Sequence, residues 1–532
     1  MYSVAFKEHC FASHGHLLSW STRIKRIKMA HKQYSQRTAY AFLILRRTLM
    51  KKQILIFLLV FFTLFLFSCN SMTKDDNKDS QTSETSGESQ SEDVVFSEGL
   101  EYYHGNLTGI GTCTDTEIII PETIDGMPIT GIGNYAFEDC DNITKVVIPD
   151  SVTSIYEYAF YHCDNLEIVV MPNGLTNIAD EAFSFCGKLT TVVIPYSVKT
   201  IGQGAFRHCY SLTEITIPQN VESIRECVFS GCSSLTAIDV SEENNHYCDV
   251  DGVLFTKNMK TLLNFPAKAA VTEYTVPDSV KEMCASAFEG CKNLTSITLP
   301  DNFTSIGAGM FRDCENLKSI NIPNRVRSID SCAFLNCVGL TGIDLPDGLT
   351  EINRYAFSGC DSLTSVVIPD SVTSIGNEAF EDCSSLTSVV IPDSVTSIGD
   401  FAFSWCSSLT SVEIPNSVTS IDYGTFSGCS SLTSVEIPDS VTSIDYQAFY
   451  GCSSLTSVEI PDSVTSIGNY TFYNCSSLTS VYYSGDATKW AAISIDPYNS
   501  CLTSATRYYY SATQPTTTGK YWHYVDGKPT PW

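Results

Sequence analysis

The chain carries 22 cysteines and nine histidines. These side chains are the natural metal ligands and nucleophiles, so their spacing decides which chemistry is open. Fourteen cysteines lie on one file: Cys140, Cys163, Cys186, Cys209 and Cys232, then Cys291 and every 23rd residue to Cys475. Structural zinc sites gather their ligands in close pairs such as C-x-x-C. Cysteines 23 apart, with no histidines keeping step, do not read as such a site. A disulfide between successive members would need Cβ atoms about 3.8 Å apart, tighter than one strand spacing allows without strain. A free cysteine packs as a small hydrophobe, so the file is read as a column of buried thiols. Cys113, Cys227, Cys248, Cys284, Cys332 and Cys501 stand off the file, and their state is left open.

The histidines give no catalytic set. His104, His162, His208, His246 and His523 are isolated in sequence and read as surface positions. No G-x-S-x-G elbow, phosphate-binding glycine loop or acidic calcium loop is present. Serine and threonine are abundant but fall in repeat slots read as polar filler on the outer walls. The expectation is a non-enzyme with no cofactor, no metal and no catalytic residue.

The elements that position these side chains follow from the repeat. The segment from Leu363 to Ser385 matches the one from Leu386 almost letter for letter at a shift of 23, and a period of 20–29 residues reads as a leucine-rich-repeat solenoid. In Leu386-Thr-Ser-Val389-Val-Ile391-Pro392, Val389 and Ile391 alternate like a strand with one buried face. Pro392, lacking an N–H, ends that strand. Val395 and Ile398 form a second inward pair. Gly399 holds a slot filled elsewhere by Gly, Asp or Asn, the residues an N-cap prefers. One short helical turn is therefore expected, with Phe403 and Cys406 three apart on its inner side. The fold class is α/β: a leucine-rich-repeat solenoid of 23-residue coils, with one parallel sheet and short helical turns on the other wall. An irregular strand-rich insert and a C-terminal cap complete it, and the cap is required because the last coil would otherwise expose its core.

The unit Leu-x-x-Val-x-Ile-Pro-x-x-Val-x-x-Ile-Gly-x-x-Ala-Phe-x-x-Cys resembles the treponemal-type repeat of the BspA-like leucine-rich-repeat surface proteins. The resemblance covers roughly residues 103–510. It extends to Asp251-Gly252-Val253-Leu254-Phe255, similar to an insert this family carries, and to Tyr482-Tyr483-Ser484-Gly485 with Trp490, similar to its closing segment. It implies a surface protein, most often an adhesin.

The N-terminal region reads as targeting sequence. Residues 1–49 carry nine Lys/Arg against Glu8 alone and no repeat. Met50-Lys51-Lys52 then precedes an apolar run from Ile54 to Phe67, short of the roughly 20 residues of a membrane span. Translation is expected to start at Met50, with residues 1–49 an upstream extension. Residues 50–68 then form a signal peptide whose Leu66-Phe67-Ser68-Cys69 resembles a lipobox, making Cys69 the lipidated N-terminus. Residues 69–100 read as an acidic Ser/Thr-rich tether. Beyond it come repeats over 101–232, the insert over 233–284, repeats over 285–482 and the cap over 483–532.

Removing residues 1–68 takes away eleven Lys/Arg and one Glu, leaving 21 basic and 58 acidic side chains and a net charge of −37. That excludes nucleic acid, which needs a basic footprint. The slot between the two inward strand residues faces out of the sheet. It runs Val147, Val170 and Val193 near one end and Glu413, Glu436 and Glu459 near the other. Exposed apolar rows mark contact sites, and stacked carboxylates repel unless a basic partner meets them, so both rows are candidate ligand faces. The expected protein is an exported lipoprotein, held to the outer face of a bacterial envelope by its N-terminal lipid alone. It would bind extracellular or surface proteins and glycans, as an adhesin for host matrix proteins or other cells. Two alternatives are an envelope spacer without a specific ligand and glycan binding through the aromatic C-terminal segment.

Overall fold

The computed structural model describes residues 95–516 and 518–532. Cys69, the extension, the signal peptide and nearly all of the tether lie outside the described residues. Ser97 N–H donates to Ile119 O, and Leu100 is buried, so the folded array takes in the last residues of the segment read as tether.

Each coil contributes to three walls. The front wall is a parallel sheet of short strands such as Ser388–Val390 and Ser411–Glu413, paired residue for residue at a shift of 23. The inward Leu386, Val389 and Ile391 are buried, as the alternation predicts. The pair Val395 and Ile398 lies on a second wall with its own parallel ladder. Its two-residue strands, Ser374–Ile375 and Ser397–Ile398, stack in the same register. The solenoid thus has two parallel sheets where one was expected.

The third wall is a hydrogen-bonded turn, not the expected helical turn. In the coil around Phe380, alternate N–H groups point in two directions. Glu378, Phe380 and Asp382 donate to the next coil, at Asp400 O, Ala402 O and Ser404 O. Ala379, Glu381 and Cys383 donate three residues back within their own coil. Glu378 and Asp382 adopt left-handed φ of 58° and 55°, which reverses the chain twice and rules out a helix. Phe–x–x–Cys spacing fits such a turn as well as a helix, so the sequence could not separate them. The two short helices among the described residues, α1 (Ala487–Ala492) and α2 (Ser500–Ser504), belong to the cap.

The core is built from stacked rings and thiols. Phe137, Phe160, Phe183, Phe206 and Phe229 form one column with centroids 4.9–5.9 Å apart. A second column runs from Phe265 to Phe472. The file cysteines from Cys163 onward are buried and free. Most donate Sγ–H to the phenylalanine carbonyl of the preceding coil, as Cys383 does to Phe357 O at 3.2 Å. Burial pushes the Cys232 and Cys429 thiols up to about 12, so these two are thiols and not thiolates. The threonine after each coil's leucine is more than filler. Thr387 Oγ1 donates to Thr364 O at 3.1 Å and Thr410 Oγ1 to Thr387 O at 3.3 Å, a further ladder along the array.

The insert is strand-rich, as expected. Tyr247–Val250 pairs antiparallel with Val253–Thr256 through Asp251-Gly252, both at positive φ as a two-residue hairpin demands. Val253–Thr256 pairs in turn with Thr261–Asn264, which rejoins the second wall beside Glu282–Met283. The two hydrophobic cores meet here: Leu254 packs into the first, Val253 and Phe255 into the second. Opposite sides of one strand thus serve different cores.

Candidate functional site

The front wall carries the outward row that the sequence singled out. Val170 and Val193 are exposed, Val193 at 81%, while Val147 is half-buried. Val367 and Val390 form a second apolar pair, on a separate sheet of the front wall, at 69% and 60% exposed. Glu413 follows in direct register with Val390, and then Glu436 and Glu459 stack on Glu413 in turn. Two of the three glutamates are exposed.

Glu459 is not. It is 7% exposed because the C-terminal segment folds back over it, and the Tyr524 hydroxyl donates to its carboxylate. Loss of water pushes Glu459 up to about 7; Glu436 and Asp439 add to the rise, and the tyrosine hydrogen bond opposes it. The open acidic row is therefore Glu413 and Glu436, and Glu459 is a buried acid of the cap. Tyr524 lies 65 residues away and outside the repeat, so the period gave no sign of this contact.

The aromatic tail is used largely to close the array. Trp522 is fully buried and its indole N–H donates to Tyr483 O at 3.0 Å. Trp490, buried on α1, carries the Arg507 guanidinium 3.9 Å above its ring. Asp486 caps α1 by accepting from the N–H groups of Thr488 and Lys489. Tyr510 and Trp532 stay 42% and 44% exposed, so only the rim of the tail remains open to a ligand.

On the turn wall, two of the five histidines read as isolated surface positions, His162 and His208, flank Phe185. His162 stacks on Phe185 at 4.3 Å, and Phe185 meets His208 at 4.5 Å. The His208 side chain is 12% exposed, with Nε2 3.9 Å from Glu289 Oε1. Desolvation holds His208 below the ordinary histidine range, and Glu289 pulls the other way. The missed signal lay in the slot two before each file cysteine. Across the insert it reads Ser184, Arg207, Ser230, Glu289 and Arg312, charges of both signs where buried serine is common.

Against known proteins, the chain matches the model of the BspA type leucine rich repeat region, in six copies, over residues 130–250, 264–387 and 373–496. The chain belongs to this family. Among solved structures, this BspA-type chain is similar to a leucine rich cell surface protein of Faecalibacterium prausnitzii A2-165. The identity is 29% over 74% of this chain and 93% of that one, with a TM-score of 0.44. It is also similar to a leucine-rich repeat protein of Bacteroides ovatus, at 24% identity over 79% of this chain and 99% of that one, TM-score 0.41. The pneumococcal vaccine antigen PcpA matches at 18% identity over 78% and 97%, TM-score 0.38. No curated protein matches the chain.

Proposed function

We propose that this BspA-type chain is an exported, non-catalytic surface protein that binds other proteins through its front wall. The observation that carries the reading is the outward row itself. Val367 and Val390 pass in strict register into Glu413 and Glu436, an apolar strip beside an unpaired-sign acidic strip on one rigid sheet. A repeat solenoid offers long, regular faces of this kind for docking. The matching partner is a surface or matrix protein with a hydrophobic patch flanked by lysine or arginine. The export signal read at residues 50–68 and the acidic segment after it support display outside the cell, with Cys69 as lipid anchor.

The test is surface plasmon resonance of the mature chain against fibronectin, laminin and whole bacterial cells at low and high salt. Saturable binding that weakens as salt rises, and weakens again in Glu413→Lys/Glu436→Lys, supports the reading. No saturable binding to any of them would sink it. Metabolic labelling with a radioactive fatty acid, comparing wild type with Cys69→Ala, checks the anchor separately.

A further inference from the structure

The turn wall is interrupted at the insert. In the regular coil the six residues around phenylalanine fold into the double turn. In the insert coil Thr261–Asn264 stays in a strand, and Pro266 follows Phe265 directly. Proline has no N–H to send three residues back, so the hydrogen bond that the residue after phenylalanine makes in a regular coil is lost there. Phe265 N–H still reaches Ala287 O at 2.8 Å and keeps the core in register. Outside it the wall is left with a notch. The Ser230 hydroxyl crosses that notch to donate to the Glu289 carboxylate, 59 residues on.

The notch opens into a cleft of about 600 Å³ lined by Phe185, Arg207, His208, Tyr210, Glu289 and Arg312, within the ~300–1,000 Å³ of small-molecule sites. Four buried polar atoms on its lining lack a hydrogen-bond partner: Glu289 Oε1, His208 Nδ1, Arg207 Nε and Arg312 Nε. The Glu289 side chain is 1% exposed. Four equivalent slots hold buried serines, at Ser184, Ser358, Ser404 and Ser427, and the glutamates in this slot elsewhere, Glu138 and Glu381, are less buried than Glu289. A carboxylate in that slot costs desolvation, and the His208 and Arg312 nitrogens, each 3.9 Å from Oε1, are too far to hydrogen-bond it.

These groups narrow the chemistry to a ligand that donates to a carboxylate and accepts from guanidinium groups at once. A simple anion would meet Glu289. A simple cation would meet Arg207 and Arg312. A hydroxylated neutral ring satisfies both, because each hydroxyl can donate to the carboxylate and accept from a guanidinium. Phe185 and the 46% exposed Tyr210 offer apolar faces for such a ring. We propose that the cleft lined by Arg207, Glu289 and Arg312 binds a pyranose residue of a glycan, with Glu289 as hydroxyl acceptor and Arg207 and Arg312 as donors. This site is separate from the front wall and does not rest on the reading of that wall.

The test is saturation-transfer NMR and titration of the full chain with the methyl glycosides of glucose, galactose, N-acetylglucosamine and N-acetylgalactosamine. At least one is expected to bind with a dissociation constant of about 10 mM or below. Glu289→Gln is expected to weaken it at least about tenfold, the effect of losing a charged hydrogen bond. Arg207→Met, at a half-exposed side chain, should weaken it similarly and carries the test if Glu289→Gln fails to fold. Glu413→Lys, on the other wall, should leave sugar binding unchanged. Binding of none of the four glycosides overturns the proposal, and so does equal affinity in the folded Arg207→Met protein.

Discussion

The regular coils and the interrupted coil solve the same packing problem with different thoroughness. Around Phe380 every wall N–H has a carbonyl, the thiol has a carbonyl, and the threonine hydroxyl has a carbonyl. Around Phe265 the core is kept, but the wall leaves four buried polar atoms unmatched. Glu289 and Glu459 are the buried carboxylates among the described residues. One sits where the repeat is interrupted and the other where it ends. Identical copies can meet only needs that every copy shares, so departures from the repeat are the places where specific chemistry can be held.

Four predictions would break or sharpen this contrast. The largest effect is expected at the core. Phe334→Ala, in the middle of the second ring column, should cost about 3–5 kcal/mol by chemical denaturation. Phe229→Ala, at the end of the first column, should cost less, since its ring stacks on Phe206 alone among the column's phenylalanines. Equal costs would mean that the cores are not separate.

The next effect is the acid of the cap. Glu459 is pushed up to about 7 in the folded protein, above its ordinary value near 4.5. The folded state therefore binds the proton more tightly than the unfolded chain does. That contribution is complete below about pH 4.5 and is lost as pH rises through 7, up to about 3 kcal/mol in all. Hydrogen exchange of the Trp522 region should quicken between pH 5 and pH 8 beyond the intrinsic base-catalysed rise. Glu459→Gln should remove that excess.

A smaller effect, of opposite sign to most core changes, is expected at the interruption. Glu289→Leu should leave stability unchanged or raise it by up to about 1 kcal/mol, because an apolar residue replaces a buried and incompletely paired charge. A loss of several kcal/mol would mean that the carboxylate holds the two blocks together. The smallest effect is Thr387→Val, which removes one ladder hydroxyl and should cost about 0.5 kcal/mol in the same denaturation experiment.

How much of this was legible in the sequence follows the same division. The period placed Val389, Ile398, Phe403 and Cys406 inside, because one inward pattern repeated 14 times leaves no other common core. It did not resolve the turn wall, since residues three apart share a side in both a helix and a turn with left-handed residues. It placed Glu459 on the open face, because the covering Tyr524 belongs to a tail with no period. It passed over Glu289, because the slot two before the file cysteine varies among Ser, Glu, Arg, Leu and Tyr and so carries no common pattern. Pairs such as Ser230 and Glu289, separated by 59 residues, are contacts that a 23-residue rule does not generate.

The hydrogen bonds that join the regular coils span 22–26 residues, from Ser394 to Val372 and from Cys383 to Phe357. No coil therefore needs to know how many others exist. Unequal recombination among near-identical gene segments could lengthen or shorten the molecule in steps of about 4.8 Å, leaving both ends and the notch as they are. Reach becomes a quantity that evolution can adjust without redesigning the fold.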